Sequence, residues 1–96
     1  MSRRIYERIL VINGRSLNKV VIDPHFEEKH AYSITDDIIL ELVSMLNGRS
    51  FKPIDIDDGY EYFVNDRLEY QNKFYKLIWL LKEDELYIGI VNAYRR

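Results

Sequence analysis

Cysteine is absent from this 96-residue chain. That omission excludes a disulfide scaffold, a thiolate zinc site and a cysteine nucleophile together, and it suggests a reducing compartment. No apolar run of signal-peptide type follows Met-Ser-Arg-Arg, because residues 9–12 are too few and a turn comes next. Nothing approaches the ~20 apolar residues that a membrane-spanning helix needs. The resulting expectation is a cytoplasmic protein. A basic excess is missing as well: 14 Lys and Arg stand against 16 Asp and Glu, a formal net charge of −2. Nucleic-acid binders usually carry a positive footprint, so any such surface must arise from the distribution of charge. Basic residues lie at the two ends (Arg3, Arg4, Arg95, Arg96) and within expected strands (Lys73, Lys76), whereas acidic residues gather near 55–58 and 83–85. The phosphate-loop and dinucleotide fingerprints are absent, and no serine lies in a Gly-x-Ser-x-Gly elbow. Nucleotide-cofactor chemistry is rejected on these grounds, and no cofactor is expected.

What the chain does have is apolar and aromatic content. Hydrophobic residues make up 47% and aromatic residues 14%, with eight Tyr, four Phe and one Trp. Each aromatic removes about 150–250 Å² from water, which compensates for the small size of a single domain spanning 1–96. The expected fold class is α+β: an N-terminal β-hairpin, one or two helices, then an antiparallel β-meander, all forming one sheet.

Residues 4–12 are rich in β-branched and aromatic side chains and read as a strand. Asn13-Gly14 tolerates the positive φ of a tight hairpin turn, and residues 17–22 read as the returning strand. Asp23-Pro24 is a helix-start signal, with Asp23 as N-cap and Pro24 at the first helical position; a short helix over 24–31 follows. Ile38, Ile39, Leu42, Val43 and Leu46 recur at helical spacing, so residues 35–47 form an amphipathic helix, ended by Gly48 in the left-handed conformation. A strand over 51–56 contains Pro53, which belongs at an edge or a strand start. Strands over 60–64, prolonged towards Tyr70, and over 73–81 and 86–94 complete the meander. The near-continuous apolar runs at 77–81 and 88–91 suggest central positions.

His25 and His30 are five residues apart and do not share a helix face as an i, i+4 metal pair does. No metal is expected. Two readings stand for them: polar histidines on a helix surface, or His30 facing the sheet as a general acid or base, for which an ordinary pKa near 6.5 is suited. Most strand aromatics serve packing, but mixed with Arg67, Lys73, Lys76 and Arg95 they could stack bases while the cations hold phosphates. Alternation puts Phe74, Lys76, Ile78 and Leu80 on one face and Tyr75, Leu77, Trp79 and Leu81 on the other.

The order of hairpin, His-bearing helical segment and cation-bearing meander resembles the RelE/ParE-type toxin superfamily of toxin–antitoxin systems, especially its BrnT-like branch. The resemblance rests on Lys29-His30-Ala31-Tyr32-Ser33-Ile34-Thr35-Asp36-Asp37-Ile38, on Asp66-Arg67, on the paired strands 73–81 and 86–94, and on Ala93-Tyr94-Arg95-Arg96. It implies a metal-independent endoribonuclease acting on mRNA, associated with ribosomes or with free RNA, and neutralised by a cognate antitoxin. It further implies His30 or His25 as acid or base, Arg67 and Lys76 as phosphate stabilisers, and Tyr94 with Arg95 as positioning groups. The rival expectations are a non-catalytic interaction module that receives a partner on a strand edge, and a dimeric structural protein using surface aromatics.

Overall fold

The computed structural model describes residues 3–23 and 34–96. The helix expected over 24–31, with His25 and His30, lies outside the described residues. Six strands and one helix are described: β1 (Arg4–Ile12), β2 (Arg15–Ile22), α1 (Asp36–Ser44), β3 (Asp55–Asp57), β4 (Tyr60–Tyr70), β5 (Lys73–Lys82) and β6 (Tyr87–Arg95). They form one sheet in the order β1-β2-β6-β5-β4-β3.

Three of the connections are two-residue turns whose chemistry is local. Asn13 and Gly14, Asp58 and Gly59, and Gln71 and Asn72 all take positive φ, the backbone twist that closes antiparallel strands without splaying them. The β1–β2 hairpin therefore forms where Asn-Gly predicts it. Strand 51–56 contracts to β3, because Pro53 cannot donate to a ladder and pairing with β4 begins only after it.

The sheet departs from the expected antiparallel meander at one seam. β3 to β6 do run antiparallel, but β2 and β6 pair in parallel, with Val20 opposite Ile88 and Ile22 opposite Ile90. The sheet is mixed. The reason is steric and hydrophobic: β6 and β2 both carry apolar side chains on each face, so either direction of pairing buries them, and the long connection between them permits the parallel one. As expected, β5 and β6 occupy the two middle positions.

α1 begins at Thr35, whose Oγ1 accepts the Ile38 N–H at 3.3 Å, and its first turn carries Asp36 and Asp37, the sign that the helix dipole favours there. It is shorter than the expected 35–47. The chain leaves the helix at Ser44 and turns through residues 45–48, where Gly48 takes φ +79° and donates to the Val11 carbonyl at 2.6 Å. α1 buries Ile39, Leu40, Leu42 and Val43 against the inner face of the sheet. Trp79 is at the centre of that layer, stacked on Phe63 with ring centroids 4.1 Å apart and met edge-on by Phe51 at 5.5 Å. Its indole N–H donates to Asn65 Oδ1 at 2.7 Å, so the buried donor is satisfied. No helix among the described residues is long and apolar enough to cross a membrane.

Candidate functional site

The alternation expected along β5 holds: Tyr75, Leu77, Trp79 and Leu81 are buried, and Phe74, Lys76, Ile78 and Leu80 are half-buried on the outer face, away from α1. What the sequence does not reveal is a slip in register. Asn65 pairs with Leu77 and Leu68 with Tyr75, so Asp66 and Arg67 form a bulge between them. A bulge bends its strand and re-aims side chains. Here it brings Arg67 across the Phe74 ring, its guanidinium 4.3 Å from the centroid.

β6 supplies the rest. Lys76 is opposite Tyr94, with its ammonium 5.7 Å from the phenol ring. The Arg96 N–H donates to the Phe74 carbonyl at 2.9 Å, which holds the end of the chain along β5. Arg67, Phe74, Tyr94, Arg95 and Arg96 together line an open depression of about 530 Å³. Of the residues singled out in the sequence, Arg67, Tyr94 and Arg95 therefore converge, and Lys76 adjoins them through Tyr94. His25 and His30 lie outside the described residues.

Three participants were not singled out as site residues: Phe74, Arg96 and Asp66. Phe74 had a signal, since it stands two residues from Lys76 on β5, and Arg96 had one as the end of the Ala93-Tyr94-Arg95-Arg96 run. Asp66 had none beyond its place beside Arg67. Its carboxylate accepts from Arg96 Nη1 at 3.0 Å and lies 3.9 Å from Lys76 Nζ. Two cations thus meet this carboxylate, and Arg67 and Arg95 at the depression leave the cluster with a positive excess. Both ion pairs are partly exposed, and such pairs contribute roughly 0–1 kcal/mol, so an incoming phosphate can displace Asp66 at little cost.

A second concavity lies further along the same face. Val21, Leu80 and Gly89 form its floor, Tyr60, Tyr62 and Tyr87 its walls, and Arg3 and Asp23 are at its rim, enclosing about 290 Å³. Gly89 is the reason the floor is open. A Cβ there would come within 2.8 Å of Leu80 Cδ1. Burial, reinforced by the neighbouring Tyr60, raises the Tyr87 phenol above its ordinary pKa. The arrangement offers aromatic and apolar surface with few charges.

On the inner side of the sheet, a third polar group serves structure. Arg4 donates to both oxygens of Asp36, at 2.6 and 2.8 Å, and the Tyr6 hydroxyl donates to the same carboxylate. These bonds hold the start of α1 to β1. Comparison with protein-family models, curated proteins and solved structures finds no match to this chain.

Proposed function

We propose that the chain binds RNA at the cationic end of the outer sheet face and acts there as a metal-independent endoribonuclease, the toxin of a toxin–antitoxin pair with a RelE-like fold. One observation carries this reading: Arg67, Tyr94, Arg95 and Arg96 line a single depression around the Phe74 ring. A planar guanidinium matches the oxygens of a phosphodiester, and an aromatic ring beside it gives a base a surface for stacking.

The chemistry needs no metal. A base removes the proton of a ribose 2′-hydroxyl, and the 2′-oxygen forms a bond to the adjacent phosphorus. Arg67 and Arg95, with Lys76 behind them, stabilise the charge that develops on the phosphate oxygens. The bond from phosphorus to the 5′-oxygen breaks, and an acid supplies that oxygen with a proton. The products are a 2′,3′-cyclic phosphate and a 5′-hydroxyl end. Tyr94 is placed to orient the phosphate, and His30 or His25 would serve as acid or base. A cognate antitoxin would silence the protein by covering this end of the sheet.

The test is cleavage of mRNA, and growth arrest on expression, for the parent and for Arg67→Ala and Arg95→Ala. Loss of one charge-stabilising donor should lower the cleavage rate by about 10²–10³-fold. Variants as active and as toxic as the parent would overturn the proposal. A second reading, a non-catalytic binding module, is favoured by the Asp66 carboxylate, which occupies two of the cations. It predicts RNA or protein binding at the depression with no cyclic-phosphate product.

A further inference from the structure

β1 is the last strand of the sheet, and among the described residues no strand pairs with its outer side. Part of that side is covered. Asn47 Oδ1 accepts the Val11 N–H, Gly48 donates to the Val11 carbonyl, and the Asn13 N–H donates to the Arg49 carbonyl. Among the described residues, no backbone cover of this kind is seen along residues 5–7. There the Glu7 carbonyl takes a hydrogen bond from the side chain of the next residue, Arg8, at 2.7 Å. An uncovered edge of this kind is a template for another strand.

The side chains along this stretch have a self-complementary order. Ile5 is opposite Val21 and Glu7 is opposite Lys19, and Arg3 reaches the groove that Val21 lines, so Arg3, Ile5 and Glu7 share the outer face. They read as cation, apolar, anion. Ile5 is 60% exposed. The ladder with β2 runs from Arg4 to Glu7 and slips immediately after it, so Ile5 and Tyr6 lie in the middle of the regular stretch and Arg3 stands just before it.

A second copy laid antiparallel about a twofold axis must match residues of the same face. That leaves four registers, centred on Arg4, Ile5, Tyr6 or Glu7. Centring on Arg4 opposes two arginines, centring on Glu7 opposes two glutamates, and centring on Tyr6 sets Arg4 against Arg8. Like charges directly opposite destabilise a pair. Centring on Ile5 sets isoleucine against isoleucine and each Arg3 against a Glu7. It also lengthens an apolar row already present across the sheet, Tyr62, Leu80, Gly89, Val21 and Ile5, into the second copy.

We propose that the chain forms a symmetric dimer by antiparallel pairing of β1 with β1, centred on Ile5, with Arg3 of each copy facing Glu7 of the other. The pairing joins two six-stranded sheets into one continuous sheet. It uses none of the residues around the cationic depression, so dimerisation and RNA cleavage can fail independently.

The absence of cysteine makes a clean test available. Residues directly opposite in an antiparallel pair have Cα atoms about 4.5–5.5 Å apart, inside the range of about 4.4–6.8 Å that a disulfide spans. Ile5→Cys should therefore cross-link to covalent dimer under mild oxidation, whereas Ile9→Cys, exposed but in the bulge past the pairing stretch, should remain monomeric on a non-reducing gel. Sedimentation velocity of the cysteine-free chain supplies the second measurement. Arg3→Glu and Glu7→Arg should each shift the dimer towards monomer mass, and the two together should restore it. Equal cross-linking at positions 5 and 9, a parent chain that is monomeric across the concentration series, or single reversals that leave the mass unchanged would each overturn the proposal.

Discussion

Asp36 shows how one side chain can join an element to the sheet. Hydrogen bonds from the Arg4 guanidinium hold its carboxyl below the usual carboxylate range, burial opposes them, and the Tyr6 hydroxyl adds to the lowering. The same contact raises the Tyr6 phenol, chiefly through its bond to Asp36. A carboxyl with a depressed folded pKa contributes stability that is fully present above its unfolded value, about 3.9, and is lost as pH falls through the folded value. Replacing Asp36 with Asn should therefore destabilise the protein by about 1–3 kcal/mol near neutral pH. The gap between variant and parent should narrow as urea titrations are repeated from pH 7 down towards pH 3. A gap that stayed constant over that range would show that the carboxylate charge has no part in holding α1.

Among the elements, β6 carries the most consequence, because it bridges the hairpin and the meander. Gly89 lies at that junction, and two opposing effects decide what a side chain there would do. Alanine in place of glycine in a strand interior gains roughly 0.5–1 kcal/mol, whereas overpacking costs about 1–3 kcal/mol. The contact at 2.8 Å is with the end of a half-buried leucine, so the cost falls at the low end of its range and still exceeds the gain. Gly89→Ala should lower the thermal midpoint by a few degrees, and adding Leu80→Ala should recover most of that loss; a rise in the midpoint for the single variant would refute the account. The elements also show which features of the fold are legible in the chain. Turns were, since Asn13-Gly14 and Asp58-Gly59 need positive φ, a demand that residue type reveals. The face assignment along β5 was, since period-two alternation is local. The β2–β6 pairing was not: Val20, Ile22, Ile88 and Ile90 would satisfy either direction, and the choice depends on contacts far apart in sequence. The depression was legible in Arg67, Tyr94 and Arg95, and not in Phe74 or Arg96. That Arg67 turns over Phe74 depends on a one-place slip between β4 and β5, and no residue type announces a slip of that kind.

For the whole molecule, the net charge of −2 conceals a separation. The turns at 58–59 and 83–86 bring Asp57, Asp58, Glu83, Asp84 and Glu85 to one end of β4 and β5, while Arg67, Lys76, Arg95 and Arg96 lie towards the other. A ten-residue strand is roughly 30 Å long, and the Debye length at physiological salt is only about 8 Å. Each end therefore acts as its own surface, and the total says little about either. Binding of a single-stranded RNA should fall with salt at a logarithmic slope of about −2 to −3, on the basis of three to four neutralised phosphates at ~0.7 each. Removing Arg95 or Arg96 should flatten the slope by about 0.7, while Asp57→Asn should leave it unchanged. A salt-independent interaction would exclude phosphate contacts as its source. Trp79 offers the means to keep such titrations honest. The chain has one indole, sealed from solvent at 0% exposure between α1 and the sheet, and no group on the outer face reaches it. Its fluorescence is consequently a private gauge of whether the interior is intact: it should stay blue-shifted when nucleic acid or a second copy occupies the far side of the sheet, and redden only when the protein melts.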